Sequence, residues 1–210
     1  ESIYSMDGDE SPLKEIVGLA NRYQAHIILD EAHSTGVYGK NGSGYAAMLG
    51  LESEIVIRIY TFGKAMGVHG ACVVGSKALI SYLVNFARPF IFSTAMSPHS
   101  LVSIQCAFEF LQNEQPLQQQ LHSNVQFFLD TYKNSNHPKV PSNSPIQSVL
   151  MEGNNEVKRL ARYLQQHDMD CRAIRSPSVK PGSERVRICL HSFNTEADIQ
   201  KLIKALTEFG

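Results

Sequence analysis

Tyr60-Thr61-Phe62-Gly63-Lys64-Ala65-Met66-Gly67 follows the β-branched run Ile55-Val56-Ile57-Arg58-Ile59, so the stretch reads as a strand that delivers a lysine onto a glycine-flanked turn. Upstream, His26-Ile27-Ile28-Leu29-Asp30 is a short apolar run of the kind expected for a parallel strand buried on both faces. It ends at an aspartate and runs on into Glu31-Ala32-His33. Two strands whose far ends carry Asp, His, Thr and Lys predict an open α/β sheet with its chemistry at the strand ends.

The rest of the chain fits that class. Ser11-Pro12 reads as an N-cap and first helical position, with Leu13, Ile16, Val17, Ala20 and Tyr23 at helical spacing to about Gln24. Ser2-Ile3-Tyr4-Ser5 looks strand-like, and Gly36 to Gly44 is too punctuated for regular structure. A third strand is expected at Ala71-Cys72-Val73-Val74, then a helix capped by Ser76 and a longer one from about Pro98 to Asn113. A further helix from Pro116 to about Lys133 precedes a Pro/Asn/Ser-dense loop, Asn134 to Pro145. Beyond it are a strand from Ile146 to Met151, a helix from Glu156 to about His167, strands near Arg172–Ile174 and Arg185–Leu190, and a closing helix from Thr195. The expected domains are 1–115, sheet-rich, and 116–210, a small α/β layer with its own core.

Composition sets bounds. The chain has 210 residues, 43% hydrophobic and 19% charged, enough for a substantial core in an ordinary globular α/β protein. A formal net charge of −1 gives bulk electrostatics no hold on nucleic acid or an anionic membrane surface. No apolar run is long enough to span a bilayer. Cys72, Cys106, Cys171 and Cys189 are far apart without a C-x-x-C pair, so no metal site or disulfide framework is expected, and they read as buried small hydrophobes in a reducing compartment, the cytoplasm. The chain begins at Glu1, directly before a strand-like stretch, and is read as the C-terminal part of a longer protein.

The strand-end residues suit one cofactor. Pyridoxal 5'-phosphate needs a lysine amine, an acid at its pyridine nitrogen, a partner for its ring oxygen and donors for its phosphate. Asp30 can keep the ring nitrogen protonated, His33 can bond the phenolic oxygen, and Thr61 can offer a hydroxyl to the phosphate. Lys64 can hold the cofactor as a Schiff base and then shuttle a substrate proton. Taken singly, each has an ordinary explanation: a loop anchor, a solvated charge, a structural histidine. Asp30-Glu31-Ala32-His33 also spells the DEAH string of certain helicases, but such proteins need G-x-x-x-x-G-K-[ST], and here Asn41 follows Gly39-Lys40 while Ala65 follows Gly63-Lys64.

Five motifs in order carry a resemblance through nearly the whole chain: Glu1 to Asp9, Asp30 to Gly36, Thr61 to Ala65, Phe92-Ser93-Thr94-Ala95 and Ala173-Ile174-Arg175-Ser176-Pro177. The sequence resembles the C-terminal half of the α-oxoamine synthases, fold-type I pyridoxal phosphate enzymes. That resemblance implies part of the aspartate aminotransferase-like large domain (1–115) and a small C-terminal α/β domain (116–210). It implies a decarboxylative condensation of an amino acid with an acyl-CoA. Lys64 would be the Schiff-base lysine, Asp30 the pyridinium partner and His33 the phenolic-oxygen partner, with Ser5 and Thr61 at cofactor-contacting positions. Ser93 and Thr94 would reach the phosphate of a neighbouring subunit, implying a homodimer with shared sites. Arg175, with Ser178 close behind, would hold the amino-acid carboxylate, for which a guanidinium fork is suited.

Departures from the family pattern fall at Ser176, Ser178, Lys180, the run Met96-Ser97-Pro98-His99, and His69, and they bear on substrate specificity. The ring-stacking histidine and glycine-containing phosphate loop of family members lie upstream of the matched half, so activity is expected of the longer protein. Rival readings are another fold-type I enzyme, an aminotransferase or lyase, and a non-catalytic partner subunit. Such subunits typically lack the Schiff-base lysine, whereas Lys64 is present.

Overall fold

The computed structural model describes residues 1–133 and 137–209, and the chain divides into two compact units. The first comprises Glu1–Ile3 and Ser11–Gln118; the second comprises Tyr4–Glu10 and Gln119–Gly210. The sequence boundary near Pro116 does not separate out the Tyr4–Glu10 segment. Residues 134–136, at the start of the expected loop, lie outside the described residues.

In the first unit, α1 (Leu13–Tyr23) turns its Leu13–Val17–Ala20 stripe inward, and Gln24 ends it in the left-handed conformation. The expected cap at Ser11 does not form. Pro12 occupies the N-cap position, and the buried Ser11 Oγ has no hydrogen-bond partner. No strand forms at Ser2–Ser5 either; Ser5 opens a turn closed by the Gly8 amide on the Tyr4 carbonyl at 2.8 Å.

A three-stranded sheet, β1 (Ile28–Asp30), β2 (Ile57–Thr61) and β3 (Ala71–Gly75), has the order β1-β2-β3. β1 runs parallel to β2, with Asp30 opposite Ile59, and β3 is antiparallel to β2, with Ala71 opposite Thr61. β1 is not buried on both faces as its apolar run predicts: Leu29 is buried but Ile28 is 64% exposed. The glycine-rich loop contains a single 3-10 turn, Lys40–Gly42, before the short α2 (Tyr45–Met48). Ser76 caps α3 (Lys77–Phe86) by accepting the Leu79 amide at 3.2 Å. α4 (Arg88–Ile91) and α5 (Pro98–Asn113) follow, with Ser97 capping α5. Among the described residues, α3, α4 and α5 bury none.

Most of α6 (Gln115–Tyr132) belongs to the second unit, with an antiparallel sheet of β4 (Ile146–Leu150), β5 (Arg172–Ile174) and β6 (Arg185–Cys189) in the order β4-β6-β5. α7 (Asn154–Gln166) and α8 (Glu196–Glu208) pack on it. Alternation along β6 puts Val186 and Ile188 in the core, against Phe128, Val157, Leu160, Leu164, Ile199 and Leu206. Thr195 and Asp198 form a capping box at the start of α8. Among the described residues no helix is long and apolar enough to cross a membrane.

Candidate functional site

Asp30 closes β1, and the ladder continues one step further, the Glu31 amide donating to the Ile59 carbonyl at 2.8 Å. The chain then coils back on itself. The Ala32 amide donates to Asp30 Oδ1 at 2.7 Å, which fixes the carboxylate and leaves its second oxygen for another donor. The Ser34 and Thr35 amides both donate to the Glu31 carbonyl, so half-buried His33 sits in a tightly wound turn three residues beyond the strand.

Thr61 closes β2 at the same end of the parallel pair, two residues beyond Asp30's partner Ile59. Its Oγ1 is buried without a hydrogen-bond partner, a condition that costs free energy unless something else supplies one. Beside it, burial holds the Tyr60 phenol above its ordinary range, opposed by the Arg58 guanidinium, which donates to the phenol oxygen at 3.1 Å.

Lys64 stands on the turn between β2 and β3. Phe62 and Met66 are buried on either side of it, and Phe62 meets Phe108 edge-on at 5.5 Å between ring centroids. The Phe62 amide bonds the Gly70 carbonyl and the Gly67 amide bonds that of Lys64, which pins the turn while the lysine side chain stays exposed. Lys64 and Thr61 line one open cleft of about 650 Å³ with Gly63, His69, Gly70, Ala71 and Met96. Asp30 and His33 are not among its lining residues, but the turn that carries His33 adjoins the lysine turn. A Cβ added at Gly36, whose φ is +79°, would lie 3.0 Å from that of Ala65.

The remaining sequence-predicted residues are spread more widely. Ser93 and Thr94 are exposed beyond α4, and the Ser93 hydroxyl donates to the Pro89 carbonyl. Ser5 lies in the Tyr4–Gly8 turn of the second unit. Arg175 and Ser178, both exposed, follow β5 in that unit, in a turn closed by the Val179 amide on the Arg175 carbonyl at 3.2 Å.

Two supporting residues escaped the sequence reading. Asn154 grips the Arg175 turn from both sides of the Ser176 peptide, accepting its amide at 3.0 Å and donating to its carbonyl at 3.3 Å. The contact spans 22 positions, and no local pattern encodes it. Glu31 is wholly buried behind the Asp30–His33 turn. Its signal in the sequence was a carboxylate at a strand end followed closely by Ala32, Ser34 and Thr35.

The family model for aminotransferase class I and II matches residues 1–206. Among curated proteins, the putative 8-amino-7-oxononanoate synthase of Geobacillus kaustophilus is 37% identical over the whole chain and 54% of its own length. The 8-amino-7-oxononanoate synthase of Emericella nidulans is 38% identical over 98% of the chain and 52% of itself. The chain thus spans about half the length of the curated relatives it matches. Among solved structures, serine palmitoyltransferase from S. paucimobilis with a bound PLP–myriocin aldimine superposes at a TM-score of 0.91 and 26% identity, covering the whole chain and 53% of that protein. The 8-amino-7-oxononanoate synthase of Francisella tularensis does so at 0.88 and 28%, over 99% of the chain and 60% of that protein. The α/β fold is therefore the one these enzymes share, and the chain belongs to the aminotransferase class I and II family.

Proposed function

We propose that the full-length protein is a pyridoxal-phosphate-dependent acyltransferase that condenses an amino acid with an acyl-CoA, losing carbon dioxide, to give an α-oxoamine. The observation that carries this reading is Thr61, which lines a cleft with Lys64 and whose hydroxyl is buried without a partner. A phosphate oxygen supplies the acceptor that this hydroxyl lacks, so the residues present fit the cofactor. When bound, pyridoxal phosphate supplies an electron sink for negative charge at the amino acid's α-carbon.

The chain's own residues then divide the work. Lys64 holds the cofactor covalently through its amine and, once released, takes the α-proton of the amino acid. Asp30 keeps a proton on the ring nitrogen with the carboxylate oxygen left open by the Ala32 amide. His33 bonds the ring oxygen, and Thr61 and Ser5 contact the cofactor. Arg175 holds the amino-acid carboxylate until it leaves, with Ser178 beside it in the same turn. Ser93 and Thr94 serve the phosphate of a neighbouring subunit in a homodimer. Residues 1–115 form part of the cofactor-binding domain and 116–210 the small domain, and the protein works in the cytoplasm. High similarity to 8-amino-7-oxononanoate synthases supports this reaction over others of the class.

Full-length protein loaded with cofactor should release CoA from an acyl-CoA only when an amino acid is present, read by thiol detection across alanine, glycine and serine. The aminotransferase family match gives the second reading its footing. Amino transfer to a keto acid, with no CoA released, would replace the proposal with that one.

A further inference from the structure

Resting on that reading, we propose that Glu31 is a positioning residue for the cofactor, acting through the turn that places Asp30 and His33 on either side of it. Glu31 is 0% exposed, and among the described residues no salt bridge reaches it. A buried carboxylate is tolerated only when its oxygens are filled by hydrogen bonds. Here the Tyr45 amide donates to Oε2 at 3.0 Å and the Ala46 amide to Oε1 at 2.9 Å, and the Ser34 hydroxyl also donates to Oε2. The same residue's carbonyl accepts the Thr35 hydroxyl at 2.6 Å and the Thr35 amide at 2.9 Å.

One side chain therefore joins three pieces: the end of β1, the turn bearing His33, and the start of α2. Gly44 leaves the room that this needs. Its φ is +105°, and a Cβ there would stand 3.1 Å from the Glu31 carboxyl carbon. Ser2 extends the network, its hydroxyl donating to Ser34 Oγ at 3.0 Å while its amide donates to the Asp30 carbonyl at 2.8 Å. Asp30 is thus joined to the Glu31 carboxylate by the chain itself and, through Ser2 and Ser34, by hydrogen bonds, and a neutral amide keeps only one of the two acceptor oxygens. In Glu31→Gln an NH2 replaces one acceptor oxygen and faces a backbone N–H donor.

The test uses full-length protein with Glu31→Gln, Glu31→Asp, Lys64→Ala and a core control in the same unit, Leu13→Ala, whose apolar side chain makes none of these hydrogen bonds. Readouts are cofactor affinity, the visible absorbance of lysine-bound cofactor with its pH titration midpoint, and exchange of the Tyr45 and Ala46 amides in cofactor-free protein. Glu31→Gln should weaken cofactor binding about tenfold or more, shift the midpoint and speed exchange at both amides about tenfold. Glu31→Asp, which keeps the charge, should recover part of each loss, and it carries the test if the glutamine variant does not fold. Leu13→Ala should melt earlier with affinity and midpoint unchanged.

The positioning role is overturned if Glu31→Gln matches wild type within about twofold in affinity and midpoint. It is overturned equally if Leu13→Ala loses as much affinity at the same loss of melting temperature. If the wild type shows no absorbance that Lys64→Ala removes, the functional reading itself falls, a result distinct from either of these.

Discussion

The two units of this chain bury their apolar residues to very different degrees. In the second, one face each of α6, α7 and α8 closes on the inner face of β4 and β6, and Phe128, Leu160, Leu164 and Leu206 are fully buried. In the first, the sheet has three strands, and the stretch from α3 to α5 exposes Phe86, Phe90, Phe92, Val102 and Phe110. Exposed apolar surface of that extent is characteristic of interaction faces. Yet the first unit carries Asp30, His33, Thr61 and Lys64. The unit with the more complete core is the one poorer in proposed chemistry, and the residues proposed to carry it stand on strand ends and on turns closed by backbone hydrogen bonds.

That contrast can be broken by mutation. Phe128→Ala should cost the second unit about 3–5 kcal/mol in denaturant unfolding, because the site is enclosed and cannot collapse freely. A loss under about 1 kcal/mol would mean that the core is looser than its contacts imply. Thiol chemistry gives the next largest effect. Burial, with Asp170 nearby, pushes the Cys171 thiol up to about 11, so its thiolate is scarce at neutral pH. Exposed Cys106 of the first unit should therefore alkylate about two orders of magnitude faster than Cys171 in the folded protein, a difference that unfolding should remove. Peptide mapping after a timed iodoacetamide pulse reads the difference.

A smaller effect concerns acid. The Thr195 amide, with the Thr195 hydroxyl, holds the Asp198 carboxyl below the ordinary range. Since the folded value is the depressed one, its contribution is complete above the ordinary aspartate pKa of about 3.9 and drains as pH falls toward the folded value. Asp198→Asn should flatten the acid limb of the melting curve and leave the slope above pH 6 unchanged. Smallest of all is Phe86→Ala. At 65% exposure it should shift the stability of this chain by no more than about 0.5 kcal/mol, measured beside Phe128→Ala.

The sequence was legible where the information is local. Alternation and helical spacing placed β2 to β6 and the helices of the second unit within a few residues. Ser76 caps the helix expected after it, and the closing helix expected from Thr195 begins with Thr195 as its cap. The strand-end order Asp30, His33, Thr61, Lys64 reads straight from the chain. What failed was non-local. Ser11 resembles a cap, but the helix takes Pro12 as its boundary residue and buries the serine hydroxyl. The apolar run at Ile27–Leu29 predicted two covered faces, but burial depends on what lies beside a strand, and Ile28 is open. Glu31 looked like one letter of a motif because its partners, the Tyr45 and Ala46 amides, are backbone groups 14 and 15 positions away.

Attachment of the cofactor to Lys64 is the proposal on which the other roles depend. Borohydride reduction of the full-length protein loaded with pyridoxal phosphate, followed by peptide mapping, tests it most directly. A pyridoxyl group on Lys64 alone, absent in Lys64→Ala, is the expected result. A label on another lysine, or no label in protein that is folded and exposed to the cofactor, would contradict it.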